Sequence, residues 1–251
     1  MTMKVLIVDD ESHVRDAVRL LVDWGAHGIE DCLTAESTEE AQEILDAEKP
    51  EIAIVDVVIG DNFGMQVAEY VQDKCLPTKI IAISGHDDFQ YVRSMFVLGC
   101  VEYLLKPIEP EPLIVAVEKG IAAFREEQQI QEEVPDNSEE LASNGTLMQQ
   151  IVDYLTASYG QRIRQQDVAD KFFLNREYLS RAFKKYTGTG MAKFLNDIRI
   201  REAQNLLLNT DLQIQEIADR VGYFDSKYFS QQFRKQVGMS PNHFRQGKEK
   251  D

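Results

Sequence analysis

Five residues in the first half of the chain have side chains that do chemistry together if folding collects them. Asp9 and Asp10 follow the apolar run 4-KVLIV-8, and Asp56 follows 52-IAIV-55. Ser84 ends 79-KIIAIS-84, and Lys106 follows 101-VEYLL-105, just ahead of Pro107. Three carboxylates brought to one place repel one another unless a cation joins them. Hard oxygen donors suit Mg2+, which keeps several of its waters. A carboxylate is also a nucleophile, and attack on a phosphoryl group gives an acyl phosphate. With Asp56 as nucleophile, Mg2+ and the Lys106 ammonium would neutralise the phosphoryl oxygens, and the Ser84 hydroxyl would hydrogen-bond one of them. Any one of the five alone could merely end a strand or cap a helix. Their recurrence at successive run ends points to phosphoryl transfer.

That chemistry requires the runs to be strands of one sheet. Continuous runs rich in β-branched residues read as buried strands of a parallel sheet. A weaker run lies near Cys32–Ala35. Between the runs lie amphipathic stretches such as 14-VRDAVRLLVDW-24, and Ser37 with Glu40 forms a capping box that opens 38-TEEAQEILDAE-48. Strands alternating with helices predict an α/β fold with a doubly wound, five-stranded parallel sheet. Ligands bind such sheets at the carboxyl ends of strands near the switch in strand order. In a 2-1-3-4-5 order, the strands ending at Asp9-Asp10 and at Asp56 flank that switch. A helix beginning near Pro110 runs through 113–129. The segment 131-QEEVPDNSEELASNG-145 then loses periodicity and gathers Pro, Asn, Ser and Gly, as a linker does.

Residues 3–125 resemble a response-regulator receiver domain, through V-D-D at 8–10, I-V-D at 54–56, I-S-G at 83–85 and Y-L-L-K-P at 103–107. The resemblance implies a flavodoxin-like fold with Asp56 as phosphoacceptor. Asp10, Asp56 and the backbone carbonyl of Val58 would hold Mg2+, with Asp9 assisting through water. Tyr103 would be the aromatic switch that pairs with Ser84. Where the family usually has Met-Pro after the acceptor region, this chain has Ile59-Gly60, while Gly64 is kept. Glycine is expected to loosen a turn that proline would stiffen. In the family, Val58 and His86 stand where the hydrolytic water passes. An apolar Val58 cannot orient that water, so a long-lived phosphoryl group is expected.

Charge separates the two halves. Residues 1–135 hold 10 Lys/Arg and 28 Asp/Glu, a net of −18, whereas 146–251 hold 17 and 12, a net of +5. An acidic module is thus joined to one whose charge suits nucleic acid. From Thr146 onward the pattern is helical and duplicated. Tyr178, Ser180, Phe183, Lys185 and Gly188 recur fifty residues later as Tyr228, Ser230, Phe233, Lys235 and Gly238. Ahead of them, Gln166-Asp-Val-Ala-Asp-Lys matches Gln215-Glu-Ile-Ala-Asp-Arg at an offset of 49, with one extra residue in the second turn. Each pair has helix-turn-helix spacing. Between the copies, 191-MAKFLNDIRIREAQNLLL-208 would form a helix about 27 Å long.

In the first copy Arg176, Glu177, Ser180, Arg181 and Lys184 fall on one helix face, and Leu179, Ala182, Phe183 and Tyr186 on the other. A polar stripe of this kind can enter a major groove, where arginine reads guanine and lysine grips phosphate. Residues 146–246 resemble the AraC/XylS-type DNA-binding domain, above all in 217-IADRVGYFDSKYFSQQFRKQVGMSPNHFR-245. The resemblance implies recognition helices at 175–186 and 225–236. Arg176, Glu177, Ser180 and Arg181 would face bases in the first, and Ser226, Lys227, Ser230 and Gln231 in the second. Lys184, Lys185, Arg234 and Lys235 are the accompanying basic residues. Phe183, Phe233, Ile217 and Ala218 should be core, and Gly188, Gly238, Ser240 and Pro241 turn and helix-start residues.

The expected organisation is a receiver at 1–125, a partly helical linker at 126–145 and a DNA-binding domain at 146–251. The expected function is that of a two-component transcription regulator and not an enzyme. Its partners would be a sensor histidine kinase, promoter DNA, a second copy when phosphorylated, and RNA polymerase. A phosphatase with an Asp nucleophile would need a further general acid near Asp56, and none is found in the sequence. A protein-binding adaptor would lack salt-dependent DNA affinity. Apolar content of 43% and charged content of 28% fit a soluble protein. No apolar run approaches the roughly 20 residues of a membrane span, and the start is too short in its apolar part for a signal peptide. Three cysteines without paired spacing favour reduced thiols in the cytoplasm.

Overall fold

The apolar runs that end in chemistry-bearing residues are four strands of one sheet, three of them interior and the last at an edge. The computed structural model describes residues 3–74, 76–85, 89–133, 145–161, 163–223 and 225–247. The chain divides into two compact units, Met1–Asn137 and Ser138–Asp251.

In the first unit, β1 (Met3–Val8), β2 (Ile29–Ala35), β3 (Ile52–Asp56), β6 (Lys79–Ser84) and β7 (Glu102–Leu105) form a parallel sheet in the order β2-β1-β3-β6-β7. Pleating sends alternate residues to opposite faces. Val5, Ile7, Ile52, Ile54, Ile81 and Ile83 therefore share one face with Leu113, Ala116, Val117 and Ile121 of α5 (Pro110–Glu133) and Val18 of α1 (Ser12–Leu21). Ala41 and Leu45 are the buried side of α2 (Thr38–Glu48), which packs on β1 and β2. The Ser37 hydroxyl caps α2 by accepting from Glu40 N–H. The Glu40 carboxylate reaches back one residue further than expected, to Glu36 N–H at 2.8 Å. Two more helices, α3 (Met65–Lys74) and α4 (Phe89–Val97), pack against each other. The fifth helix extends to Glu133, well into the stretch read as linker. The remainder of that stretch, 134–144, lies outside the described residues.

A two-residue antiparallel ribbon, β4 (Val58–Ile59) with β5 (Asn62–Phe63), follows Asp56 at once. Gly60 in its turn has φ +57°. Proline's ring fixes φ near −65° and cannot take that value. Gly60 therefore does not loosen the usual turn but permits a different one.

The second unit contains α6 (Gly145–Ser158), α7 (Gln165–Lys171), α8 (Arg176–Thr187), α9 (Met191–Asn209), α10 (Ile214–Arg220), α11 (Ser226–Val237) and α12 (Pro241–Gln246). The duplication is also one of local geometry. Asp167 and Glu216 each accept the backbone N–H three residues earlier, at Arg164 and Gln213. Asn175 caps α8 at Tyr178 N–H, and Asp225 caps α11 at Tyr228 N–H. Gly188 and Gly238 adopt φ of +77° and +85° and return N–H bonds to Lys184 and Arg234. Phe183, Phe233, Ile217 and Ala218 are fully buried. The repeat also runs further than the sequence reading placed it. Phe183 meets Phe194 edge-on at 5.3 Å, and Phe233 meets Phe244 edge-on at 5.5 Å. Short α12, capped by Ser240 with Pro241 first, is thus the counterpart of the start of α9. Among the described residues no helix is long and apolar enough to cross a membrane.

Candidate functional site

Asp9, Asp10 and Asp56 present carboxylate oxygens all within 4.8 Å of one another. Asp9 is fully buried and Asp56 is 6% exposed, while Asp10 is open to solvent. Their positions follow from β1 and β3 being adjacent and parallel, with Val8 level with Val55. The third element is the end of β7. There the Lys106 N–H bonds the Ser84 carbonyl at 2.8 Å, which aims its side chain back across the sheet end. Lys106 Nζ donates to Asp9 Oδ2 at 2.8 Å and to Asp56 Oδ2. Asp56 Oδ1 accepts Val58 N–H at 3.1 Å, and Asp9 Oδ1 accepts Glu11 N–H at 2.9 Å. Ser84 is buried at the end of β6, one residue beyond Ile83, the register partner of Asp56. Tyr103 is half-buried in the edge strand β7, level with Ala82. His86 lies outside the described residues.

Burial pushes the Asp56 carboxyl up to about 6, with Asp9 adding repulsion and Lys106 and the Val58 N–H opposing it. Burial works against the Lys106 ammonium too, but its two carboxylate partners more than offset this and hold its pKa above the ordinary value. Lys106 is therefore a cation. Three carboxylates facing one ammonium leave two negative charges uncompensated. An all-oxygen donor set with that deficit fits a hard divalent cation.

Two residues that the sequence reading did not assign to this site shape it. Arg15 on α1 donates Nη1 to the Asp9 carbonyl at 2.6 Å, pinning the loop that carries the acid pair. Gly64 packs on the backbone of Asp56: a Cβ there would lie 2.0 Å from the Asp56 carbonyl oxygen. Its sequence signal was a glycine eight residues after the acid. Only the structure gives the reason.

In the second unit α8 buries Leu179, Ala182 and Phe183 and exposes Arg181, Lys184 and Lys185, with Arg176 and Ser180 half-exposed. The side chain of Glu177 lies outside the described residues. Tyr186 corrects the expected apolar face. It is 44% exposed, and its hydroxyl donates to Gln149 of α6 at 2.9 Å, because the last turn of α8 has run past the core. On α11, Tyr228, Phe229, Gln232 and Phe233 are buried, and Lys227, Arg234 and Lys235 are exposed. Ser226, Ser230 and Gln231 are half-exposed, and the Ser230 hydroxyl turns back to the Ser226 carbonyl at 2.7 Å.

The family model for the response regulator receiver domain matches residues 5–118, and that for a helix-turn-helix domain matches 168–247. The chain belongs to the response regulators. This response regulator joins a receiver to an AraC-type helix-turn-helix DNA-binding domain and is a transcriptional regulatory protein. It is similar to the transcriptional regulatory protein HptR of Staphylococcus aureus (strain NCTC 8325 / PS 47), at 28% identity over 254 residues, covering 96% of this chain and 97% of that one. Among solved structures it is similar to the C-terminal domain of AraT, a response regulator from Geobacillus stearothermophilus. That match has 36% identity, covers 40% of this chain and 84% of the other, and has a TM-score of 0.40. The REC domain of AraT matches at 32% identity, covering 52% and 99%, with a TM-score of 0.45.

Proposed function

We propose that the regulator receives a phosphoryl group on Asp56 from a sensor histidine kinase and that the acyl phosphate controls sequence-specific binding to promoter DNA. One observation carries this reading: the three carboxylates within 4.8 Å of one another, with Lys106 Nζ bonded to both Asp9 and Asp56. A carboxylate oxygen of Asp56 attacks phosphorus, and the bond from phosphorus to the kinase's histidine nitrogen breaks with the electron pair going to that nitrogen. Lys106 then follows the charge from the carboxylate to the phosphoryl oxygens, and Ser84 donates to one of them. Asp9, Asp10, Asp56 and the backbone carbonyl of Val58 would hold Mg2+, which supplies further charge neutralisation at those oxygens when bound. Tyr103 is the side chain whose rotamer reports the change to β7 and α5.

Promoter contacts fall to α8 and α11. Arg176, Glu177, Ser180 and Arg181 meet bases from the first, and Ser226, Lys227, Ser230 and Gln231 from the second. Lys184, Lys185, Arg234 and Lys235 hold phosphates. Residues 1–125 act as receiver, 126–145 as linker and 146–251 as the DNA-binding domain. The protein works in the cytoplasm, dimerises when phosphorylated and acts on RNA polymerase at the promoter.

The test is selection of DNA sites from random duplexes, with and without acetyl phosphate and Mg2+, for the wild type and Asp56→Ala. Phosphorylation should change affinity or oligomeric state in the wild type alone, with the label mapping to the Asp56 peptide. Binding and assembly that ignore the phosphoryl donor would refute the switch.

A further inference from the structure

The two helix-turn-helix units meet along a seam built from backbone. The turn after α6 lies against the turn after α10. A Cβ on Gly160 would fall 2.7 Å from the Arg220 carbonyl oxygen, and one on Gly222 would fall 2.9 Å from the Tyr159 carbonyl oxygen. Gly222 also adopts φ +88°. Only glycine on both sides lets the two turns approach this closely. Arg199, in the middle of α9, closes the seam. Its Nε donates to the Tyr159 carbonyl at 2.9 Å and its Nη2 to the Gln161 carbonyl at 3.0 Å. Its guanidinium lies 5.8 Å from the centre of the Tyr223 ring. One turn earlier, Asn196 accepts the Tyr223 hydroxyl. Asn196 Nδ2 donates to Gln236 Oε1 at 3.4 Å, and Gln236 Nε2 donates to Asp197 Oδ1 at 2.8 Å. A short length of α9 thus grips the turn after α6, the turn after α10 and the helix α11 itself.

We propose that the Gly160–Gly222 seam and its Arg199 clamp fix the separation of α8 and α11, so that the distance between the two base elements in DNA is read as part of the sequence. The inference rests on the reading of α8 and α11 as DNA-contacting helices and goes beyond it. Arg199 is a positioning residue and touches no base. Each inserted base pair moves the second element by about 3.4 Å and rotates it by about a tenth of a turn. A flexible pair of modules would follow that movement, whereas a clamped pair loses one set of contacts.

The experiment measures affinity of the full chain for a selected site and for versions with one or two base pairs inserted or removed between its elements. Wild type, Arg199→Ala and Gln236→Ala are compared, with circular dichroism to verify folding. Gln236 is exposed, so its truncation leaves the cores intact and keeps the test valid if Arg199→Ala fails to fold. The wild type should lose affinity on altered spacers by on the order of tenfold, the size of one lost base contact. Both variants should bind the original site more weakly, pay a smaller penalty on altered spacers and keep the same base preference within each element. Spacer-blind binding by the wild type, or an equal loss at every spacer in both variants, would overturn the inference while leaving DNA reading intact. Failure of the wild type to bind any duplex would overturn both.

Discussion

Lys106 is the side chain on which the receiver's electrostatics turn. It is the ammonium bonded to both buried carboxylates, Asp9 and Asp56. Removing one partner of a buried ionic group leaves uncompensated charge, which costs about 3 kcal/mol. Lys106→Ala should therefore destabilise the first unit by about that amount, and adding Asp56→Asn should recover part of the loss. Urea unfolding followed by Trp24 fluorescence measures this, since Trp24 is the single tryptophan of the chain. Under the proposed function, Val58 is expected to govern how long the acyl phosphate persists. Its backbone N–H serves Asp56 while its half-exposed side chain offers water no partner. Val58→Asn should shorten the life of the acyl phosphate in purified protein, and an unchanged or longer decay would dismiss the idea. Cys100 has no part in this chemistry. Burial pushes its thiol up to about 12, and it donates to the Glu102 carbonyl at 2.8 Å. A group so raised stays protonated as pH rises through 8 and beyond. The Cys100 peptide should resist iodoacetamide at pH 8 until the protein is unfolded, as read by mass spectrometry.

At the scale of elements, legibility followed burial. Strands β1, β3 and β6 are interior and buried on both faces, so each is a continuous apolar run. Strands β2 and β7 are the sheet edges. Their half-exposed residues dilute the run, which is why the sequence signals β2 only near Cys32–Ala35 although it begins at Ile29. The ribbon β4–β5 is too short to leave a pattern. Positions of Asp9, Asp56 and Lys106 are legible because each ends a strand or directly follows one. Contacts made by carbonyl oxygens could not, since a carbonyl leaves no residue type behind. Arg15 on the Asp9 carbonyl and Arg199 on those of Tyr159 and Gln161 are both of that kind. Gly64 tests backbone packing at the strand that carries Asp56. With no room for a Cβ against the end of β3, Gly64→Ala should cost roughly 4 kcal/mol or more, in the tail of single substitutions. Thermal unfolding of the Trp24 signal decides it, and a variant as stable as wild type would mean that the ribbon yields freely.

The whole molecule is electrically divided, with −18 in residues 1–135 and +5 in 146–251. Affinity for duplex DNA must come from the second part alone, and contacts to phosphates make it fall steeply as salt rises. Arg181→Ala should cost about 2 kcal/mol on a selected site and relax preference at one base. Titrations at two salt concentrations separate this from a phosphate contact, whose loss would weaken every sequence alike and flatten the salt dependence. The ion pair between Lys106 and Asp9 joins residues 97 apart in the chain, the last strand's end to the first's. Between them β3 and β6 must be in register. The carboxylate site is thus a certificate of completion: a chain interrupted before residue 106 carries all three carboxylates but not their cation. Under the proposed function, incomplete or misthreaded copies would lack the ammonium that the phosphoryl group needs and would stay silent to its donor.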